Sequence, residues 1–165
     1  MGLDNIPRTY ACKNRGTAVM VEVLDKNDEP VMNSFGEPEV RIDCGATQEA
    51  GACPWKNTLG DRDGRVLGMF GTPCWYRGKY GSYLLEQLGM DGYANDLFGE
   101  DDRGTITEDT LKSIYEALKE RFTNDNGVRA NEIMIDGENC ADDVWYLADW
   151  CRFTAEYSDG AIAWY

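Results

Sequence analysis

The pattern of apolar and polar positions changes character along this chain, and each change predicts an element. Thr17-Ala-Val-Met-Val-Glu-Val-Leu24 is β-branched and apolar, which predicts a strand. Asp25–Asp28 has turn chemistry, Val31-Met32 resumes pairing and Ser34–Pro38 turns again. Glu39-Val-Arg-Ile-Asp43 then alternates as a half-buried strand does. A hairpin or meander over 17–43 is the expected result. Residues 1–16 read as irregular, 44–64 as a loop rich in Gly, Asp and Asn, and Arg65–Phe70 as a short strand. Ser82–Leu88, stopped by Gly89, reads as a short helix, and 89–104 as a Gly/Asp-rich connection.

The helical pattern is clearest near the C-terminus. Thr107 is a good N-cap, Glu108 and Asp109 suit the positive first turn, and Ile106 and Leu111 have hydrophobic-staple spacing. Leu111, Ile114, Tyr115, Leu118 and Phe122 fall on one face, so a helix is predicted over 107–123, ended by Asn124–Gly127. A second helix over 139–157 puts Val144, Leu147, Ala148, Cys151 and Ala155 on a shared face. Asp159-Gly160 stops it, and Ala161–Tyr165 is a candidate terminal strand. No internal repeat or low-complexity segment stands out. Strands first and helices later predict an α+β fold, an antiparallel N-terminal sheet or meander with two main C-terminal helices packed on it.

Composition narrows the function more than the fold. At 165 residues the chain suits a single domain, loop- and strand-rich over 1–90 and acidic and helical over 91–165. No apolar run approaches the roughly 18 residues of a membrane helix. Met1–Ile6 has neither a signal-peptide pattern nor the Ser or Thr that myristoylation wants at position 6. A cytoplasmic protein is expected, and its six cysteines then read as thiols or metal ligands rather than disulfides.

The net charge is −14 and uneven: residues 91–165 carry six basic against eighteen acidic groups, while 54–90 carry five basic against three acidic. Such a C-terminal half repels nucleic acid and anionic membrane, so direct nucleic-acid binding is not expected. The chain has no histidine. That removes Ser-His-Asp and Cys-His catalysis, HExxH sites and Cys2His2 zinc fingers, together with the usual general base at neutral pH. No G-x-G-x-x-G, Walker A or EF-hand pattern is present either.

Two groups of residues remain as candidates. Cys12, Cys44, Cys53 and Cys74 lie in the loop-rich half, and four thiolates suit an all-cysteine structural zinc site. Their spacing argues against it, since eight residues separate the nearest pair where a knuckle uses two to four. Core packing of free cysteines is the simpler reading, and the one that fits Cys140 and Cys151. The second group is Trp75, Tyr76, Arg77, Lys79 and Tyr80, set between glycines in the only net-positive region. Trp, Tyr and Arg dominate binding hot spots, and planar aromatics beside cations stack on bases or hold phosphates. The competing expectation is that the aromatics anchor a loop while the cations pair with carboxylates.

Gly2-Leu-Asp-Asn-Ile-Pro7 with Tyr10-Ala-Cys12, and Cys74-Trp-Tyr-Arg-Gly-Lys-Tyr-Gly81, resemble segments of small uncharacterised proteins of tailed bacteriophages. The resemblance covers about the first half of the chain. It implies a setting, the bacterial host cytoplasm, and no activity or site. The functional expectation is a non-enzymatic binding protein, an acidic inhibitor or nucleic-acid mimic whose helices 107–123 and 139–157 occupy a basic groove. Its partner is then a host or phage protein, one that itself binds nucleic acid on the mimic reading. The rival expectations are a metal-dependent enzyme or ligand-binding protein using carboxylates, and a module held by zinc; apart from that zinc, no cofactor is expected.

Overall fold

A computed structural model describes residues 3–60, 62, 65–68 and 74–164. The fold is α+β: an antiparallel sheet is joined to C-terminal helices that pack along each other. The sheet is built from distant pieces of chain. Asp4–Pro7 (β1) and Thr105–Ile106 (β4) both pair antiparallel with Ala161–Trp164 (β7), giving the order β1-β7-β4. The first and last strands of the sequence are therefore direct neighbours, with β7 central. Ala161 and Ala163 face inward on β7 while Ile162 and Trp164 face outward, the period of two that a one-sided sheet requires.

The long helices follow the predicted boundaries closely. The first, Glu108–Phe122 (α6), begins where Thr107 Oγ1 accepts the Thr110 backbone N–H, and Leu111, Ile114 and Leu118 are buried. Thr107→Ala removes that acceptor and is expected to cost about 1 kcal/mol, read as a lower urea midpoint. The second, Ala141–Tyr157 (α7), is the central element. Its buried residues, among them Val144, Trp150 and Ala155, cover most of its surface and leave a polar stripe of Asp142, Asp149, Arg152 and Glu156, because it packs against α6, Pro54–Leu59 (α3) and Gly78–Gln87 (α4). A helix whose apolar face is this wide sits largely within the core. Met134–Ile135 (β5) and Glu138–Asn139 (β6) form a hairpin over Asp136-Gly137, both with positive φ, leading into α7.

Several stretches read as irregular fold into short elements. Residues 1–16 hold β1 and Ala11–Asn14 (α1). Residues 44–64 hold Cys44–Glu49 (α2) and α3, and 89–104 hold Asp91–Asp96 (α5). Each of these helices is six residues or fewer, too short to display an apolar period. They persist through burial of Thr47, Trp55 and Ala94 rather than through propensity. Helix α4 starts four residues before the expected Ser82, because packing overrides the poor propensity of Gly78 and Gly81. Of the expected strand 65–70, Leu67 bridges to Tyr76, and residues 69 and 70 lie outside the described residues.

The expected meander is present but separate from the sheet. Met20–Glu22 (β2) pairs with Val40–Ile42 (β3), and residues 23–39 between them form two tight loops. Those loops correct the absence of a repeat read from the sequence. Val23-Leu-Asp-Lys-Asn-Asp-Glu-Pro30 is followed at once by Val31-Met-Asn-Ser-Phe-Gly-Glu-Pro38. In each octapeptide the third residue, Asp25 or Asn33, accepts the backbone N–H groups two and four residues ahead through its side chain. The sixth, Asp28 or Gly36, takes the positive φ that closes the turn. Two copies of eight residues are too short and too divergent to register as periodicity, but their hydrogen bonds coincide.

Candidate binding face

Residues 19–43 make a three-armed junction. The Val31 N–H donates to the Val23 carbonyl (2.8 Å), the Glu39 N–H to Val31 (2.7 Å), and the Val23 N–H to Glu39 (2.8 Å), closing a ring. These residues are spaced by eight, so each opens an equivalent arm. The arms are closed by the bridges Leu24 to Pro30, Met32 to Pro38, and Glu22 to Val40, the last being the β2–β3 stem. Leu24, Met32 and Val40 occupy the same position one residue beyond the ring, and the threefold relation places them on one face. They are 51%, 54% and 53% exposed, and Phe35 at the tip of the second arm is 87% exposed. Residues 19–43 carry Glu22, Asp25, Asp28, Glu29, Glu37, Glu39 and Asp43 against Lys26 and Arg41. The backbone N–H groups of Glu29 and Asn27 hold the Asp25 carboxyl below the usual carboxylate range.

The apolar face continues into a cavity of about 330 Å³ where the stem meets the body. Met20, Val40 and Ile42 line it from the stem, and Tyr10, Cys44 and Trp75 from the body. The Trp75 indole N–H donates to the Tyr10 hydroxyl (3.2 Å), and the Trp75 ring meets Trp164 edge-on at 6.1 Å. Burial, partly offset by that hydrogen bond, raises the Tyr10 hydroxyl to about 12, so it stays protonated at neutral pH. Behind this wall lie the cysteines. Cys44 is half-buried and Cys74 is buried. Interaction with the Cys74 thiol draws Cys44 down to about 7, against its burial and the nearby Asp43, while interaction with Cys44 and burial push Cys74 well up. Cys12 and Cys53 are within electrostatic reach of both, and burial raises each.

The structure thus brings Cys12, Cys44, Cys53 and Cys74 into one neighbourhood. Among the described residues, however, no three Cys, Asp or Glu side chains are arranged to hold a metal ion. All six cysteines are free thiols, and Cys140 and Cys151 are buried.

The five residues of the aromatic segment do not share a surface. Trp75 reaches the cavity. Tyr76 is fully buried, stacked near Tyr146 (6.1 Å between centroids) and tilted on Trp150 (5.5 Å). Arg77 caps α4 and donates its backbone N–H to the Val66 carbonyl (2.9 Å). Tyr80 donates its hydroxyl to Asp143 (2.7 Å), and Lys79 is exposed. Gly71–Pro73, at the head of the segment, lie outside the described residues.

The acidic helices likewise present less than their composition suggests. Most of α7 is inside the core, and the exposed stripe of α6 sets Lys112, Lys119 and Arg121 against Asp109, Glu116 and Glu120. Neither helix is an acidic ridge along its length. The three-armed junction was not found from the sequence; the signal available was the doubled Asx-x-x-x-Glu-Pro spacing. No helix among the described residues is long and apolar enough to cross a membrane. Comparison with known proteins finds no matching family model, no matching curated protein and no matching solved structure.

Proposed function

We propose that this protein is a non-enzymatic binding protein that docks on a protein partner through the three-armed junction at residues 19–43. One observation carries this reading: Leu24, Met32 and Val40 occupy equivalent positions of the three arms and each is more than half exposed, as is Phe35 at the tip of the second arm. A folded chain leaves single large apolar residues on its surface as a matter of course, but a grouped set rimmed by charge marks an interaction site. The rim selects the partner. Seven carboxylates against two cations over residues 19–43 favour an apolar patch ringed by Lys and Arg, the surface a nucleic-acid-binding protein offers, so inhibition by occupying that surface fits. The resemblance to phage proteins is consistent with such a partner in the bacterial host.

The test compares the wild type with a Leu24→Asp/Met32→Asp variant in capture from nuclease-treated bacterial lysate, followed by affinity measurement on whatever is retained. Both side chains are exposed and touch little, so the variant is expected to melt with the wild type. Retention of a basic protein by the wild type, weakened more than about tenfold by the variant, supports the reading. Equal retention by both proteins refutes it.

The same observations favour a second reading in which charge does most of the work, the acidic mimic. Charge reversal at Asp25, Asp28, Glu29 and Glu37, with the apolar face intact, then abolishes binding at low salt. If docking is mainly apolar, the reversal slows association and leaves most of the affinity.

A further inference from the structure

We infer that the partner binds by strand addition, laying an extended segment along the open edge of β3. The inference rests on the reading that a protein partner docks on residues 19–43, and it specifies the backbone chemistry of that docking. It follows from the hydrogen-bond register of the stem. The Val23 N–H donates to the Glu39 carbonyl (2.8 Å), and the Asp43 N–H donates to the Val19 carbonyl (2.8 Å). Bonded and non-bonded pairs alternate along an antiparallel ladder. Val21 and Arg41, opposite each other midway between those two pairs, are therefore the bonded pair of the stem. The backbone N–H and C=O groups of Val40 and Ile42 then point away from β2. Among the described residues, no loop backbone takes up those four groups. Val40 and Arg41 are exposed and Ile42 is half-buried, so the edge is open to solvent. An open row of backbone donors and acceptors is the template on which a further strand assembles.

Both faces of that edge have room for the side chains an added strand would bring. Met20, Val40 and Ile42 project to one side of the stem, where the cavity of about 330 Å³ is backed by Tyr10 and Trp75. Val21 and Arg41 project to the other side, where a second cavity of about 250 Å³ is bordered by Asp43. The two cavities share Arg41, Ile42 and Cys44, whereas β2 lends each of them a single residue. They therefore flank β3. Successive side chains of a strand point to opposite faces. Those entering the first cavity meet Trp75 and the aliphatic stem, which suits an aromatic or large aliphatic group. Those entering the second meet Arg41 and Asp43, which suits a polar one. The segment that fits alternates large apolar with polar residues, and Lys or Arg beside it meets the carboxylates of the arms.

The test selects binders to the full-length protein from a displayed library of random dodecapeptides and follows backbone amide exchange by NMR. In the free protein the Arg41 amide is expected to be protected, and those of Val40 and Ile42 to exchange about tenfold or more faster. A selected peptide is expected to slow Val40 and Ile42 by about tenfold or more, and its sequence to alternate apolar and polar residues. Val40→Pro removes an outward N–H and leaves the Val21–Arg41 bonds intact, as proline on an edge strand can. It is expected to weaken the peptide about tenfold more than Val40→Ala, which removes the side chain alone. The exchange result stands even if Val40→Pro fails to fold. No enriched peptide, apolar residues recurring at helical spacing, or unchanged exchange at Val40 and Ile42 overturns the inference. The two proposals fail separately. Loss of the partner in the Leu24→Asp/Met32→Asp variant with the β3 amides still unprotected would keep the apolar face and discard strand addition. Protected β3 amides with equal retention by that variant would do the reverse.

Discussion

Trp150→Ala is expected to destabilise the protein by roughly 3–5 kcal/mol, the range for deleting a large buried aromatic. Trp150 is wholly buried on α7, and its ring packs against Tyr76, 5.5 Å away between centroids. Its indole N–H donates to the Cys74 carbonyl (3.1 Å). One side chain therefore ties the central helix to the segment before α4 by packing and by a hydrogen bond. The substitution leaves a cavity between those elements and an unpartnered carbonyl, and the second loss adds to the first. Urea unfolding followed by far-ultraviolet circular dichroism reads the effect as a fall in midpoint. A loss below about 1 kcal/mol would mean that the helices close over the space, so that α7 is not held where the structure has it. Because total stabilities are typically about 5–15 kcal/mol, a variant at the upper end of this range is expected to be partly unfolded at 37 °C.

Gly160→Ala is expected to cost about 2–5 kcal/mol, for two reasons that add. Gly160 joins α7 to β7 with φ +87°, where an L side chain is strained by roughly 1–2 kcal/mol. A Cβ there would also overlap the Ile106 carbonyl oxygen in β4, a backbone atom that cannot move without breaking the sheet. Overpacking of that kind adds about 1–3 kcal/mol. Gly16→Ala is the control. Its φ is +70° but nothing lies within 4 Å of the added carbon, so only the first cost applies. Equal effects at the two positions, compared by thermal melting, would show that Gly160 does not abut β4.

These two residues also mark where reading a sequence stops. Helix α6 was legible because its determinants are local. Thr107 caps it, Ile106 and Leu111 flank the cap, and its apolar residues recur at the helical period within one window. The turns over 25–28 and 34–38 were legible for the same reason, and the structure adds that Asp25 and Asn33 satisfy backbone N–H groups a few residues ahead. The central sheet was not. Its β1–β7 pairing joins Asp4 to Trp164, and nothing within four or five residues of either strand encodes that partnership.

The candidate sites divide along the same line. Residue type picked out Trp75 and the four cysteines of the first half, and the structure sets Trp75 and Cys44 on one cavity wall. Type alone does not say that Tyr76, next to Trp75, is a core anchor. In an extended segment neighbouring side chains point to opposite sides, and which side is the interior depends on what α7 brings against it. Nor does it say that Leu24, Met32 and Val40 are exposed together, since strand-like apolar residues normally go inside. By itself the sequence determined the elements whose hydrogen bonds and apolar faces close within one or two turns of chain, and the charge any partner must meet. The tertiary structure alone decided which ends pair, which aromatics are buried, and which thiols and apolar side chains become neighbours. Those contacts are made between residues far apart in the chain, and their free energy exists only once the core has assembled.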